Sequence, residues 1–211
     1  MPLPLKCVER IPSNRTGPLP LVICLHGRGA DANDLADLAP MLDGGDGYRF
    51  LFPNAPKPFE PYPGMRFGWS WFDGWPPTPQ SIAASRALLL DFIDQAVAQF
   101  GAPDGKLIIG GFSQGGVMSI DCGFRTTQQV AGIVVMSGAA FEDDLPELRA
   151  IPLFIAHGLA DEVVPVLTAR RARRLFEEHG LDPEYHELPI GHQVSQEEID
   201  LVRDFIARCL G

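Results

Sequence analysis

The sequence predicts an α/β chain with a mostly parallel central sheet flanked by helices, and three observations predict it. Short apolar runs without strict alternation recur along the chain, helix-period segments lie between them, and glycine-bearing turns follow the runs. The 211 residues, 45% of them apolar, suffice for one well-formed core, so residues 1–211 are read as a single domain. No internal repeat and no linker-like stretch divides them.

The first run, residues 19–25, is rich in Leu, Val and Ile and reads as a central strand. Residues 56–79 then break the pattern, with seven prolines and seven aromatics, Trp69, Trp71 and Trp75 among them. Proline removes backbone donors and fixes φ, so this stretch suits neither a regular helix nor a central strand, and it is too aromatic for a solvated loop. An ordered excursion over the sheet is expected. Residues 81–100 place Ile82, Leu89, Leu90, Ile93, Val97 and Phe100 at three- and four-residue intervals, one core-facing helical stripe.

Strand-like runs follow at 106–109, 132–136 and 152–156. Residues 164–179 read as a helix with Pro165 in its first turn and Gly180 at its close; residues 184–188 are β-like. Ser195, Gln196, Glu197 and Glu198 form a capping box that opens a last helix to residue 210. Such alternation argues for right-handed βαβ crossovers in a doubly wound sheet.

Composition narrows the function classes. Thirteen Phe and only 21% charged residues exclude disorder as the main state. Seventeen Lys and Arg against 27 Asp and Glu give a net charge of -10, a field that repels phosphate backbones, so no nucleic-acid partner is expected. The cluster Arg170, Arg171, Arg173 and Arg174 does not change this, because Glu177 and Glu178 stand four residues after Arg173 and Arg174, as on a solvated helix face. Apolar runs fall far short of the ~20 residues a bilayer requires, so no stable membrane insertion is expected. The start, Met1 to Lys6, has two prolines and no apolar h-region behind a basic patch, and a cytoplasmic location is expected. Cys7, Cys24, Cys122 and Cys209 form no C-x-x-C pair; they read as reduced thiols, with no metal site. The oligomeric state is left open, a homo-oligomer included.

Gly111-Phe112-Ser113-Gln114-Gly115 fits G-x-S-x-G, in which small flanking residues permit a tight turn that lifts a serine hydroxyl clear of the backbone. A strand-like run precedes it and a helix start follows, the context the motif requires. A serine needs a base to take its proton, and the base needs a third group to hold its tautomer. Asp161 follows the run at 152–156 and His192 follows the run at 184–188, so Ser113, Asp161 and His192 occur in the chain order of this hydrolase topology. Glu162 is the rival acid. His26 and His157 precede glycines at strand ends and read as backbone-bonding imidazoles. The glycine-rich turn Gly27-Arg28-Gly29 lacks nucleotide-binding spacing; the N–H groups of Arg28 and Gln114 stand where an oxyanion needs donors.

Together the segments Leu25-His26-Gly27-Arg28-Gly29-Ala30-Asp31, Phe52-Pro53-Asn54-Ala55-Pro56, Trp71-Phe72-Asp73, the Ser113 turn, His157-Gly158 with Asp161-Glu162-Val163-Val164-Pro165, and Gly191-His192 resemble a known group. They are similar to the small α/β-hydrolase carboxylesterases related to acyl-protein thioesterases, the phospholipase/carboxylesterase family. The resemblance spans most of the chain. It implies an α/β-hydrolase fold with Ser113 as nucleophile, His192 as general base and acid, Asp161 as the orienting acid, and Arg28 and Gln114 as oxyanion donors. Two departures stand out: Arg28 occupies a place where the family commonly has Leu, which sets a cation beside the acyl pocket, and residues 68–77 replace a shorter aromatic stretch.

The expected function is a serine carboxylic-ester hydrolase acting through an acyl-enzyme on small-molecule esters of short to medium chain, with no cofactor. Thioester or lysophospholipid cleavage by the same triad is the alternative chemistry. An inactive hydrolase-fold module holding a ligand or partner is the alternative of another class. Trp69, Trp71, Phe72 and Trp75 are expected to wall the acyl pocket over the carboxyl edge of the sheet, with a partner-binding face as the competing role for the tryptophans.

Overall fold

The computed structural model describes residues 2–12 and 17–211; Met1, part of the N-terminal reading above, lies outside the described residues. In chain order the elements are β1 (Cys7–Arg10), β2 (Leu21–Leu25), α1 (Ala39–Asp43), β3 (Arg49–Pro53), β4 (Lys57–Phe59), β5 (Gly68–Ser70), α2 (Pro79–Phe100), β6 (Leu107–Phe112), α3 (Gln114–Arg125), β7 (Gly132–Met136), β8 (Leu153–Gly158), α4 (Val166–Glu178), β9 (Glu184–Leu188) and α5 (Gln196–Leu210). Seven strands form one sheet in the order β1-β3-β2-β6-β7-β8-β9. The β1–β3 pair is antiparallel and the other pairs of this sheet are parallel.

The unbroken apolar runs are explained by helices on both faces. Leu21, Ile23 and Leu25 pack with Leu89 and Phe92 of α2, Met118 of α3 and Phe176 of α4. Val22 and Cys24, pointing the other way, pack with Leu42 of α1 and with Val202, Phe205 and Ile206 of α5. Every residue of β2 and β7 is therefore buried. The sequence shows no alternation there because neither face meets water.

The helix starts refine the reading. α2 begins at Pro79, two residues ahead of the expected start, because Thr78 and Ser81 cap each other: Ser81 N–H donates to Thr78 Oγ1 at 3.1 Å and Thr78 N–H to Ser81 Oγ at 3.0 Å. Pro165 stands at the N-cap of α4 rather than inside it. Ser195 Oγ accepts the Glu198 N–H at 3.2 Å, but the buried Glu198 carboxylate returns no hydrogen bond of full geometry, so only half of that capping box forms. On α4, Arg173 pairs with Glu177 at 2.7 Å, while Arg170 reaches across to Glu187 of β9. All four cysteines are free, with Cys24 and Cys122 buried and Cys7 and Cys209 half-buried. No described helix is long and apolar enough to cross a membrane.

The topology positions a site. After β2 the chain crosses by α1 to β3 on one side, and after β6 it enters α3 on the opposite face and moves to β7 on the other side. The crevice outside the carboxyl ends of β2 and β6 is thus the point where strand order reverses, the usual ligand position in an open α/β sheet.

Candidate active site

Ser113 is the single residue between β6 and α3, held at φ 57° and ψ -118°. Its N–H donates to the Met136 carbonyl at 2.8 Å, which ties the turn to β7. The second glycine of the motif is dictated by a close approach: a β-carbon on Gly115 would lie 1.9 Å from the Leu25 carbonyl oxygen. Helix α3 can start hard against the end of β2 only without that atom. The strained serine is thereby over-determined by its surroundings.

His192, in the loop after β9, stands between the two other expected residues. Its Nδ1 is 2.7 Å from Asp161 Oδ2 and its Nε2 is 2.9 Å from Ser113 Oγ. A carboxylate only accepts, so Nδ1 carries the proton and Nε2 is left to accept from the serine hydroxyl. The Phe112 ring lies 4.8 Å from the imidazole, centroid to centroid, and limits its tilt.

Asp161 sits in the loop after β8 with its side chain fully buried. Its Oδ1 accepts the N–H groups of Val163 at 2.9 Å and Val164 at 2.7 Å. Burial pushes this carboxyl up, but the Val164 N–H, the His192 bond and the Val163 N–H together outweigh it and hold the group below the usual carboxylate range. His157 Nε2 donates to the Val164 carbonyl at 2.7 Å and lies 3.4 Å from Asp161 Oδ2; burial lowers its pKa and keeps it neutral. Glu162 makes no such contacts and is exposed.

The loop after β2 is braced by the aromatic segment. Gly29 N–H donates to the Trp69 carbonyl at 2.8 Å and Trp69 N–H to the Ala30 carbonyl at 2.9 Å, so an antiparallel bridge between Ala30 and Trp69 ties the loop to β5 of the β4–β5 hairpin. Gly68 makes this possible, since a β-carbon there would lie 2.2 Å from the Gly29 oxygen. His26 accepts the Ala55 N–H at Nε2 (3.0 Å), which leaves Nδ1–H to donate to the Gly27 carbonyl at 2.7 Å. Burial lowers the pKa of His26, consistent with this neutral tautomer.

Arg28 and Gln114 both line the cleft over Ser113. Gln114 is the first residue of α3, so its N–H has no intrahelical acceptor. The cleft has a volume of about 270 Å³, with Trp75, Phe112, Val163 and Val164 as its apolar wall.

Of the four aromatic residues expected on that wall, the structure brings only Trp75 to it. Trp71 and Phe72 have no exposed surface and belong to the core. Trp71 is drawn inward because its Nε1–H reaches the His26 carbonyl at 2.9 Å and its own carbonyl accepts from Ser85 of α2. Trp69 packs partly against the core beneath the Arg66 guanidinium, away from the cleft. The wall therefore differs from the expected one, because the backbone beyond β5 turns into the core before it reaches the cleft.

Sequence reasoning missed the Gln114 side chain. Its Oε1 lies 3.0 Å from both the Trp71 N–H donor and Ser70 Oγ, and its Nε2 donates to the Phe72 carbonyl at 2.9 Å. The signal was an amide embedded in an otherwise apolar strand-turn-helix, which must find buried partners.

A model of the family described as Phospholipase/Carboxylesterase matches residues 7–210. Acyl-protein thioesterase 1 of Neurospora crassa is 30% identical over 186 residues, covering 78% of this chain and 75% of that protein. Lysophospholipase-like protein 1 of Mus musculus is 29% identical over 174 residues, covering 75% of this chain and 72% of that protein. Among solved structures, esterase PE8 superposes with a TM-score of 0.86 at 26% identity, covering 98% of this chain and 99% of that one.

Proposed function

The chain belongs to the phospholipase/carboxylesterase family of esterase-type hydrolases, and from that premise we propose that it is a serine carboxylic-ester hydrolase acting on short- to medium-chain esters through Ser113, His192 and Asp161. One observation carries the reading: His192 is hydrogen-bonded on one side to a buried carboxylate and on the other to the hydroxyl of a serine held on a strained turn.

Ser113 Oγ attacks the ester carbonyl carbon while its proton passes to His192 Nε2. The imidazolium is stabilised by Asp161, which stays ionised. The tetrahedral oxyanion accepts from the N–H groups of Arg28 and Gln114, each such donor contributing about 2.7–4 kcal/mol to the transition state. Collapse breaks the carbon–oxygen bond to the alcohol, which takes the proton from Nε2 and leaves Ser113 acylated. Water then gives its proton to Nε2, adds to the acyl carbon and releases the acid, restoring the serine hydroxyl. Thioester cleavage by the same groups is the second reading, favoured by the similarity to an acyl-protein thioesterase.

The small cleft closed by Trp75 supports shorter acyl chains. Labelling with a fluorophosphonate tests the activated serine, and hydrolysis of acetyl to palmitoyl esters and thioesters tests the substrate range. Ser113→Ala should abolish labelling and lower kcat at least about a thousandfold with unchanged circular dichroism. An unlabelled wild-type protein, or a Ser113→Ala variant that retains turnover, would overturn the reading.

A further inference from the structure

Arg28 lines both the cleft over Ser113, where its N–H is the proposed oxyanion donor, and an adjoining hollow bounded by Phe59, Glu60, Asp73 and Gly74. The guanidinium carbon stands 5.1 Å from the centroid of the Phe59 ring. Phe59 is itself fixed, because its β4 backbone pairs with β5 and its ring packs against Gly29. A cation resting on an aromatic face is oriented without its N–H edge being used.

That edge has no partner. Among the described residues no carboxylate lies within ion-pair distance of Arg28 and its side chain donates no hydrogen bond, whereas Arg86, Arg125, Arg170, Arg173, Arg203 and Arg208 each meet a carboxylate. The acidic groups around it are otherwise engaged or turned away. Asp73 is held by Lys57 Nζ at 2.9 Å, Asp31 accepts from the N–H and Nδ2 of Asn33, and Glu60 is exposed without reaching Arg28. In a chain of net charge -10, an unpaired guanidinium beside the cleft is a cation still free to meet an anionic group.

We propose that Arg28 binds a carboxylate carried by the substrate, so that the site selects esters with a single negative charge a few bonds from the scissile carbonyl. The inference rests on the esterase reading above and deepens it. A planar carboxylate matches the two-pronged guanidinium edge. A dianionic phosphate would meet one cation only, within a strongly acidic molecule, and is disfavoured. The carboxylate can belong to the acyl part or to the alcohol part, and two pairs of substrates separate these sources. One pair is the methyl hemiester of glutaric acid against the methyl ester of glutaramic acid. The other is the butyryl ester of glycolic acid against that of glycolamide.

The readout is the ratio of kcat/KM for the carboxylate over its amide, which is unaffected by any overall change in rate. In the wild type this ratio should exceed ten in one pair and fall as salt is raised. Arg28→Gln should bring it close to one, mainly through KM, and Arg28→Lys should restore part of it. A wild-type ratio of one or below in both pairs, or a ratio that Arg28→Gln leaves unchanged, overturns the inference while ester turnover keeps the hydrolase reading intact. Absence of turnover with all four esters, together with no fluorophosphonate labelling, overturns both. Absence of turnover in a labelled protein overturns the carboxylate selection alone.

Discussion

Gln114 Oε1 accepts the backbone N–H of Trp71 at 3.0 Å, so the residue beside Ser113 in the chain is fastened through its side chain to the aromatic segment. The same amide donates to the Phe72 carbonyl at 2.9 Å. The turn that presents the serine and the segment that braces the loop after β2 are therefore one connected unit. Gln114→Ala keeps the N–H proposed for the oxyanion but leaves buried groups of Trp71 and Phe72 unmet, each at a cost of about 1–3 kcal/mol. A loss of roughly 2–4 kcal/mol is expected, with a fall in kcat because the two N–H groups proposed for the oxyanion lose their mutual register. Thermal unfolding and steady-state kinetics check it, and a variant with wild-type melting temperature and kcat would remove the side chain from this role. Gln114→Glu should do no better, since a carboxylate cannot donate to the Phe72 carbonyl.

Asp161 and Glu162 are adjacent in sequence, and the geometry separates them. Asp161 offers one oxygen to two backbone N–H groups and the other to His192, so Asp161→Asn must turn an NH2 group toward a donor on one side or the other. A fall in kcat of about three to four orders of magnitude is expected from the disturbed tautomer. Glu162→Gln, at an exposed position, should stay within about threefold of wild type. A severe Glu162→Gln with a mild Asp161→Asn would reverse the assignment. The folded-state pKa of Asp161 is depressed, so its stabilising contribution is present above the unfolded value near 3.9 and is lost only as pH falls through the lower folded value. Activity between pH 6 and 9 should accordingly show no step from this group.

Glu198 behaves in the opposite sense. Burial in the first turn of α5 pushes its carboxyl up to about 7 from 4.5. Between those values the folded state holds a proton that the unfolded chain has released, so stability falls as pH rises through the window and stays lower above it. Glu198→Gln removes this penalty, and should gain roughly 1–3 kcal/mol over wild type at pH 8 relative to pH 4.5. His26 and His157, neutral in the fold, act the other way as pH rises, so the measurement is the difference between variant and wild-type melting temperatures across pH. A constant difference would show that the Glu198 carboxyl titrates normally.

How much of this was legible depends on where the information lies in the chain. β2, β6, β7 and β8 are buried on both faces and announce themselves as apolar runs, and the turns after β6, β8 and β9 carry Ser113, Asp161 and His192 in a recognisable order. β1 is a four-residue edge strand with a half-buried, mixed sequence, and β3 ends in Pro53, so neither has a pattern that outweighs its neighbours. The depths of Trp71 and Phe72 follow from contacts with His26, Ser85 and Gln114, residues 14 to 45 positions away in sequence. No periodicity in a proline-rich stretch encodes such partners. A dense cluster of aromatics shows that surface will be buried, and is silent about which ring faces the substrate.

That distinction separates two tryptophans. Trp71 has no exposed surface and makes two hydrogen bonds through its backbone and indole to Gln114 and His26, so Trp71→Ala opens a cavity in the core and should destabilise the fold by about 3–5 kcal/mol, with activity falling for all acyl lengths alike. Trp75 is 41% exposed, lines the cleft, and packs edge-on against Phe141 with ring centroids 5.7 Å apart. Behind that contact Phe141 lines a second, apolar hollow of about 110 Å³ shared with Pro77, Ile82 and Val117. The Trp75–Phe141 contact thus stands between the cleft and that hollow. Each methylene that gains burial adds at most about 0.8 kcal/mol, so a chain that fits under the indole gains per carbon until the ring stops it. In Trp75→Ala a butyrate ester loses its wall and kcat/KM should fall several-fold, whereas a decanoate ester gains a path toward the Phe141 hollow and should rise. The melting temperature should move by no more than a few degrees, because little of this ring is core. Kinetics over acetyl to palmitoyl esters check the shift. A profile that drops uniformly, or one in which Trp71→Ala rather than Trp75→Ala changes the chain-length preference, would mean that the indole of Trp75 does not bound the acyl chain.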